Sequence, residues 1–500
     1  MDLIEFWFKH PQIWFDCGPE WDQYISKVFG YRVKNLLLST RTDKFKDLED
    51  IILLDQISRH IDRHLESSFA LKYNSIALGI THKIIKNNLN DWSPEQICFI
   101  LMPLRHSKIK KNLELSLQYI HNLRQSTPDN NYFRRFYYAN LKDLSKFIRP
   151  QKQNHYPSKK FENNNILCST SLYESCKHNK WLAELDSGQR LIKDFLKFKS
   201  NKFDKVTISL SGGVDSMVSS FILKKLGFEV SALMINYQNR KESSQEVDFV
   251  SWWCYQMGIP FYVTTIEYLC RTNDKERQFY ENYTKDIRFE SYRSLQRPVI
   301  LGHNMDDCFE NIFSNLKSKK SLANLTGMES ISYQHGVTLL RPMLNIRKTS
   351  IFSFAHNYNI PYLFDSTPKW SQRGKYRDNL IPTIEKNEPL LLPSLLELSE
   401  RLKKMSNHYY HLLEQNLKIE KIGPKKYCIQ FTKCTDIDYW RYIFEKCLHL
   451  FKLKIPSLKS LKNLISILEL NTNVIGKKIM LSKNYSGVFE DNNILIIMTF

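Results

Sequence analysis

No run approaching 18 apolar residues occurs anywhere in the 500-residue chain, so no membrane-spanning helix and no membrane partner is expected. The opening Met1-Asp2-Leu3-Ile4-Glu5 carries no basic stretch, so no secretion signal is expected and the chain reads as cytoplasmic. The ten cysteines are scattered, and no Cys-x-x-Cys pair occurs. That spacing excludes the usual zinc and iron–sulfur ligand sets, so neither group is expected, and free thiols in a reducing compartment are the simplest reading. The string Gly-x-x-x-x-Gly-Lys-Ser/Thr is also missing. The common nucleotide loop, whose lysine reaches the terminal phosphates, is thereby excluded.

Basic residues, by contrast, are in excess. Lys and Arg number 72 against 52 Asp and Glu, giving a formal charge of +20 and a pI near 9.3. With 13% aromatics, this favours RNA or DNA as partner over an acidic small molecule, although a lysine-rich solvated surface gives the same total. The length allows two or three domains.

The most informative stretch is Ser211-Gly212-Gly213-Val214-Asp215-Ser216, which follows the apolar run Val206–Leu210 and precedes Met217–Leu223. A strand, a glycine bend and a helix start meet there. Glycines let the backbone approach an anion, and the first helical turn offers free N–H groups and the positive end of its dipole. The expectation is a phosphate cradle; the plainer reading is a helix-start turn with Ser or Asp as cap. Farther on, the strand-like Pro298–Leu301 leads into Gly302-His303-Asn304-Met305-Asp306-Asp307-Cys308-Phe309-Glu310. One imidazole and three carboxylates at a strand exit suit Mg²⁺ with a phosphate ligand, Asp306, Asp307 or Glu310 holding the metal and His303 facing a phosphate or moving a proton. A solvated acidic helix start is the alternative.

Together these segments resemble the N-type ATP pyrophosphatase (PP-loop) superfamily and, within it, the tRNA(Ile)-lysidine synthetases. The resemblance runs from about 205 to 385. Beyond the bend and His303-x-x-Asp306-Asp307-x-x-Glu310, it is carried by Arg288-Phe289, Leu325-Thr326-Gly327-Met328, Arg341-Pro342-Met343-Leu344, Asp365-Ser366, and Arg373-Gly374-Lys375-Tyr376-Arg377 ahead of Leu380-Ile381-Pro382. Asn311 stands where the family has Thr, and the last segment is shorter, with Gly374 where asparagine is usual.

The resemblance implies ATP with Mg²⁺, and a cytidine in the anticodon of tRNA that is adenylated and then joined to free lysine. ATP would bind at Ser211, Gly212, Gly213, Val214, Asp215 and Ser216, with the strand end at Met234 lining the adenine pocket. Asp215, His303, Asp306, Asp307 and Glu310 would carry the chemistry, with Asp306 and Asp307 on the metal. Arg288, Arg341, Arg373, Lys375 and Arg377 would meet the tRNA, and Trp370 would stack on a base or lie in the core. Two other readings stay open: a PP-loop transferase or ligase that thiolates a base or forms an amide, and an RNA-binding protein that retains the fold without catalysis.

The expected fold is multi-domain. An N-terminal all-α domain (1–145) of helical hairpins is followed by a polar linker and connecting helix (146–199). A central α/β domain of PP-loop type (200–388) has parallel strands at 205–210, 229–235, 261–266, 298–301 and 337–340. A C-terminal α+β tRNA-binding region (389–500) has helices at 392–416 and 437–452, and two strands paired across a turn-prone 484–493. The N-terminal part resembles an uncharacterised bacterial, tetratricopeptide-like α-helical family through Phe6-Trp7-Phe8, Trp14-Phe15, Leu53-Leu54-Asp55-Gln56-x-x-Arg59, Phe69-Ala70 and Met102-Pro103-Leu104-x-His106-Ser107. Asp55 and Arg59, four apart, read as an ion pair. The expected role of this domain is to dock a protein partner or to contact RNA.

Overall fold

The computed structural model describes residues 2–14, 18–35, 44–87, 89, 91–153, 189–200, 203–239, 243–269, 274–318, 325–363, 372–414, 417–451, 453, 455–470 and 473–499. The helices, in chain order, are α1 (Leu3–Lys9), α2 (Pro19–Asn35), α3 (Lys44–Ile51), α4 (Ser58–Leu65), α5 (Phe69–Asn87), α6 (Pro94–His106), α7 (Lys110–Ser126), α8 (Asn131–Leu144), α9 (Arg190–Ser200), α10 (Val214–Lys225), α11 (Ser243–Gln256), α12 (Asp274–Ser294), α13 (Met305–Lys317), α14 (Lys348–Asn357), α15 (Gln372–Lys375), α16 (Ile381–Asn387), α17 (Leu391–Glu414), α18 (Ile437–Phe451) and α19 (Leu458–Leu470). The strands are β1 (Gln151–Lys152), β2 (Lys205–Ser209), β3 (Glu229–Asn236), β4 (Phe261–Thr265), β5 (Val299–Ile300), β6 (Ile331–Gln334), β7 (Val337–Leu340), β8 (Lys418–Gly423), β9 (Lys426–Gln430), β10 (Lys478–Ser482), β11 (Tyr485–Asp491) and β12 (Ile494–Thr499). The helical N-terminal part, the parallel strands alternating with helices, and the mixed C-terminal region are those expected.

The chain divides into two units, Met1–Phe161 with Ser231–Arg297, and Glu162–Val230 with Pro298–Phe500. In the first, α1 to α8 build an apolar core in which Trp7, Phe29, Phe99, Leu101 and Leu117 are buried, and Ile266, Leu269, Tyr283 and Ile287 belong to the same core. The 231–297 segment thus packs with the N-terminal helices. Sequence dictates the starts here: Ser93 and Gln96 form a capping box on α6, with Pro94 in its first turn. Strands β3 and β4 pair in parallel, Ala232 opposite Phe261, and β1 adds antiparallel to β4, Gln151 opposite Val263. Gln151 and Lys152 lie within the stretch expected to be linker. Both are exposed edge residues, which is why no apolar alternation marks them.

In the second unit β2, β5 and β7 pair in parallel, and β6 closes that run as an antiparallel hairpin with β7. Its turn, His335-Gly336, has φ of 48° and 80°. The C-terminal sheet is antiparallel in the order β10-β11-β12-β9-β8, and Trp440, Phe444, Leu464 and Phe489 fill its core with α18 and α19. Two expectations change here. Within the turn-prone stretch 484–493, Tyr485–Asp491 form strand β11, so β10 and β12 each pair with β11 and not with one another. The hairpin β8–β9 was not anticipated because β8 is largely exposed and carries no buried face.

Among the described residues no helix is long and apolar enough to cross a membrane. The described cysteines Cys98, Cys254, Cys308, Cys428, Cys434 and Cys447 are free thiols. Cys17, Cys168, Cys176 and Cys270 lie outside the described residues.

Candidate active site

Strand β2 ends just before the buried Leu210, and the chain bends at Gly212, whose φ of +83° is a conformation that L side chains rarely adopt. Gly213 is the N-cap of α10 and provides no capping side chain, so the helix's first N–H groups are left for a ligand. Ser216 locks the bend from inside: its Oγ accepts from the Ser211 N–H at 3.2 Å and donates to the Gly213 carbonyl at 2.9 Å. On the other side the Leu363 N–H donates to the Gly212 carbonyl at 2.8 Å. A bend held in this way, at a helix start behind a parallel strand, turns free N–H groups and the positive end of the helix dipole to one side, the arrangement that favours an anion.

The acidic tip lies directly against it. A Cβ on Gly302 would come within 3.1 Å of the Asp215 Cβ and 3.2 Å of the Ser216 nitrogen. Asn304 caps α13 by accepting from the Asp306 and Asp307 N–H groups at 2.9 and 3.3 Å, and Asp307 returns the bond by accepting from the Asn304 N–H at 3.0 Å. The Asn304 side chain also donates to Asp215 Oδ1 at 3.0 Å, tying tip to bend. Gly302→Ala is expected to displace the bend, since the atoms in the way are backbone and a first side-chain carbon. Its cost is about 1–3 kcal/mol of stability, read from a denaturant midpoint, together with a fall in phosphate-ligand turnover. Unchanged midpoint and turnover would refute the close fit.

Every carboxylate of the tip already has a cation. Asp215 pairs with Lys348 Nζ. Asp306 takes Arg347 at 2.9 and 3.2 Å and the Lys348 N–H at 2.7 Å, and Arg347 pairs further with Glu385. Arg373 bonds Asp307 at 2.8 Å and Glu310 at 2.7 Å, and Arg377 bonds Glu310 at 2.9 Å. His303 Nδ1 lies 3.1 Å from the Arg341 Nε, and the Arg341 guanidinium also donates to the Glu329 carbonyl at 2.9 Å and to Ser332 Oγ at 2.8 Å. Burial raises the Asp215 pKa above its ordinary value; Lys348 opposes this, and the nearby charge of Asp307 adds to it. Burial likewise lowers Arg341 and pushes the Cys308 thiol up to about 12, so that thiol is no nucleophile.

The residues present do not fit a protein-held magnesium ion at Asp306 and Asp307. Both carboxylates are engaged by guanidinium and N–H groups, and among the described residues no group of three or more His, Cys, Asp or Glu could hold a metal.

Of the residues expected at the site, Ser211 to Ser216, His303, Asp306, Asp307, Glu310, Arg341, Arg373 and Arg377 come together in the second unit. Lys375 is exposed on α15. Met234 is buried on β3, and Arg288 is half-buried on α12 with its guanidinium 6.0 Å from the Phe289 ring; both belong to the first unit. Asp365, Ser366 and Trp370 lie outside the described residues. Asn304, Arg347 and Lys348 were missed. A signal existed for the last two: Arg347 is the N-cap of α14 and Lys348 its first residue, where the helix dipole disfavours positive charge.

The PP-loop domain family matches residues 186–384, and a family described as bacterial protein of unknown function (DUF924) matches residues 3–162. The chain is 31% identical over 192 residues to the tRNA(Ile)-lysidine synthase of Chlamydia muridarum (strain MoPn / Nigg), covering 37% of this chain and 59% of that protein. It is 31% identical over 220 residues to the tRNA(Ile)-lysidine synthase of Chlamydia pneumoniae, covering 41% of this chain and 67% of that protein. The chain therefore spans well short of the full length of these relatives. Among solved structures, the U34-tRNA thiolase NcsA from Methanococcus maripaludis, with its [4Fe-4S] cluster, is similar at 20% identity and a TM-score of 0.36, over 43% of this chain and 78% of its own.

Proposed function

Because the chain belongs to the tRNA(Ile)-lysidine synthase family of PP-loop proteins, we propose that it is an ATP-dependent ligase that joins lysine to a cytidine in the anticodon of tRNA(Ile). ATP lies over residues 211–216 with its pyrophosphate at the start of α10. The O2 of the cytidine attacks the α-phosphorus, forming a C–O–P linkage and breaking the bond to the β-phosphate oxygen, so that pyrophosphate leaves. The ε-amine of lysine then attacks C2; the C2–N bond forms, the C2–O bond breaks, and AMP departs with the former cytidine oxygen as the amine releases its protons. Magnesium enters with the nucleotide as part of the substrate, and no step is assigned to it.

The observation that carries this reading is the abutment of Gly302 on Asp215 and Ser216, which gives one pocket both a phosphate seat and a row of carboxylates. The N–H groups of the bend and Lys348 neutralise the leaving pyrophosphate. Asp215, Asp306 and Asp307, with Glu310 and His303 in support, position the amine and its protons. Arg341, Arg373 and Arg377, with Lys375, are assigned to the phosphates of the tRNA; Arg373 and Arg377 must then exchange their carboxylate partners for phosphate oxygens. The setting is the cytoplasm, where tRNA, ATP and free lysine coexist.

Purified protein incubated with ATP, radiolabelled lysine and total tRNA tests the proposal. Label in tRNA, with one AMP and one pyrophosphate per lysine, is the expected result. ATP cleavage without label sinks the lysine assignment and favours a thiolating or amide-forming relative. No cleavage at all sinks the catalytic reading.

A further inference from the structure

Two motifs that the site above leaves unused meet in the helical first unit. Between α3 and α4 the chain widens into a π-helical turn, Ile52–Ile57, and the turn holds Asp55 at 0% exposure. The Asp55 carboxylate accepts from Gln56 Nε2 at 2.5 Å and Arg59 Nη2 at 3.2 Å, and its two oxygens lie 2.9 and 2.8 Å from His106 Nδ1. His106 arrives from the far end of α6, so the ion pair read from Asp55 and Arg59 alone is half of a larger group. With Nδ1 bound to Asp55, the imidazole presents Nε2 on its opposite edge, and Nε2 has no hydrogen-bond partner among the described residues. The ring keeps 16% of its side-chain surface open.

This arrangement is an expensive way to join helices. A π-turn gives up regular helical bonding, and a wholly buried carboxylate is costly where apolar side chains would pack as well. Such departures from local rules concentrate at functional sites. The surroundings point to the charge of the ligand. Beside His106, Arg105 bonds Asp143 at 2.9 Å, and Asp143 also takes Lys108 at 2.9 Å and Lys146 at 3.0 Å. Among the described residues Arg59, Arg105, Lys108 and Lys146 thus pair with two carboxylates, Asp55 and Asp143, which leaves two positive charges in excess. Burial lowers the His106 pKa although Asp55 opposes it, and Arg59 and Arg105 add to the lowering. The neutral ring donates through Nδ1 and accepts through Nε2.

We propose that this corner of the helical unit binds a small phosphate-bearing ligand, with Arg59 and Arg105 taking a dianionic phosphate and His106, aimed by Asp55, accepting a hydrogen bond from a hydroxyl of the ligand. Inorganic phosphate, which carries both the charge and a hydroxyl, is the probe. In equilibrium dialysis of radiolabelled phosphate against the full chain, one bound phosphate, separate from any held at the 211–216 bend, should be weakened at least tenfold by Arg59→Gln and by His106→Gln. Asp215→Ala should leave it in place, so failure of the PP-loop chemistry and failure of this site are separable. Arg63→Gln, which removes an equal charge from the neighbouring pair with Asp22, should also leave it in place. Phosphate binding within twofold of wild type in both site variants overturns the proposal, as does equal loss in Arg63→Gln. If His106→Gln does not fold, Arg59→Gln decides, because that side chain is 33% exposed and tolerates replacement.

Discussion

Replacing Asp215 with alanine is expected to abolish pyrophosphate release while leaving tRNA affinity within severalfold of wild type. Asp215 stands in the first turn of α10, two residues after the N-cap Gly213, and is the point where Asn304 and Lys348 converge. Without its carboxylate the Lys348 ammonium loses its ion-pair partner, and the proposed reaction loses the group assigned to orient charge at the scissile phosphate. Losses of about a hundredfold or more follow from removing one preorganised group of this kind. In the proposed reaction, affinity for tRNA would be spread over many basic contacts and carried by none of them alone. Pyrophosphate release and filter binding at one fixed salt concentration measure the two arms, and wild-type turnover in the variant would remove Asp215 from the chemistry.

The same residue gives a pH test. Burial raises the Asp215 pKa, so its charge is lost, as pH falls, at a higher pH than for an ordinary aspartate. Lys348 lowers that pKa, and Lys348→Gln should therefore raise it further. Residual turnover of the variant is expected to fall off at a higher pH than that of wild type. An acidic limb that does not move would show that Asp215 ionisation is irrelevant to turnover.

The parts of this site that were legible in the sequence are those written in apolar runs and glycine. Val206–Ile208 and Val299–Ile300 lie in buried parallel strands, where continuous hydrophobicity is the signal, and the bend and tip follow them within a few residues. What escaped notice depends on tertiary pairing. Arg347 and Lys348 look like misplaced charges at a helix start until Asp306 and Asp215 are seen opposite them. Strand β11 was hidden by Gly487, which reads as a turn residue; in the sheet it sits where a Cβ would meet Leu495 at 2.9 Å and Leu481 at 3.1 Å, so glycine marks close packing there. The exposed edge strands β1, β6 and β8 have no buried face to announce them.

Glu310 shows how the substrate end of the pocket depends on its arginines. Its side chain is 1% exposed, deep on α13, and both oxygens are bound by guanidinium groups that reach in from partly open positions, 48% exposed for Arg373 and 34% for Arg377. Removing either arginine leaves the other on Glu310, and with solvent screening of the lost partner each single alanine variant should cost about 1–2 kcal/mol. Removing both strands a buried carboxylate without a cation, a situation that costs about 3–5 kcal/mol. The double variant should therefore lose more than its two single variants together, with the excess appearing as a coupling energy in denaturant-midpoint shifts. Such coupling would mean that Arg373 and Arg377 cannot both leave for phosphate oxygens unless something positive replaces them on Glu310, and in the proposed reaction the incoming lysine ammonium has the charge to do so. Strictly additive, small losses would instead show Glu310 to be indifferent to its partners, and the exchange of arginine for lysine would lose its physical basis.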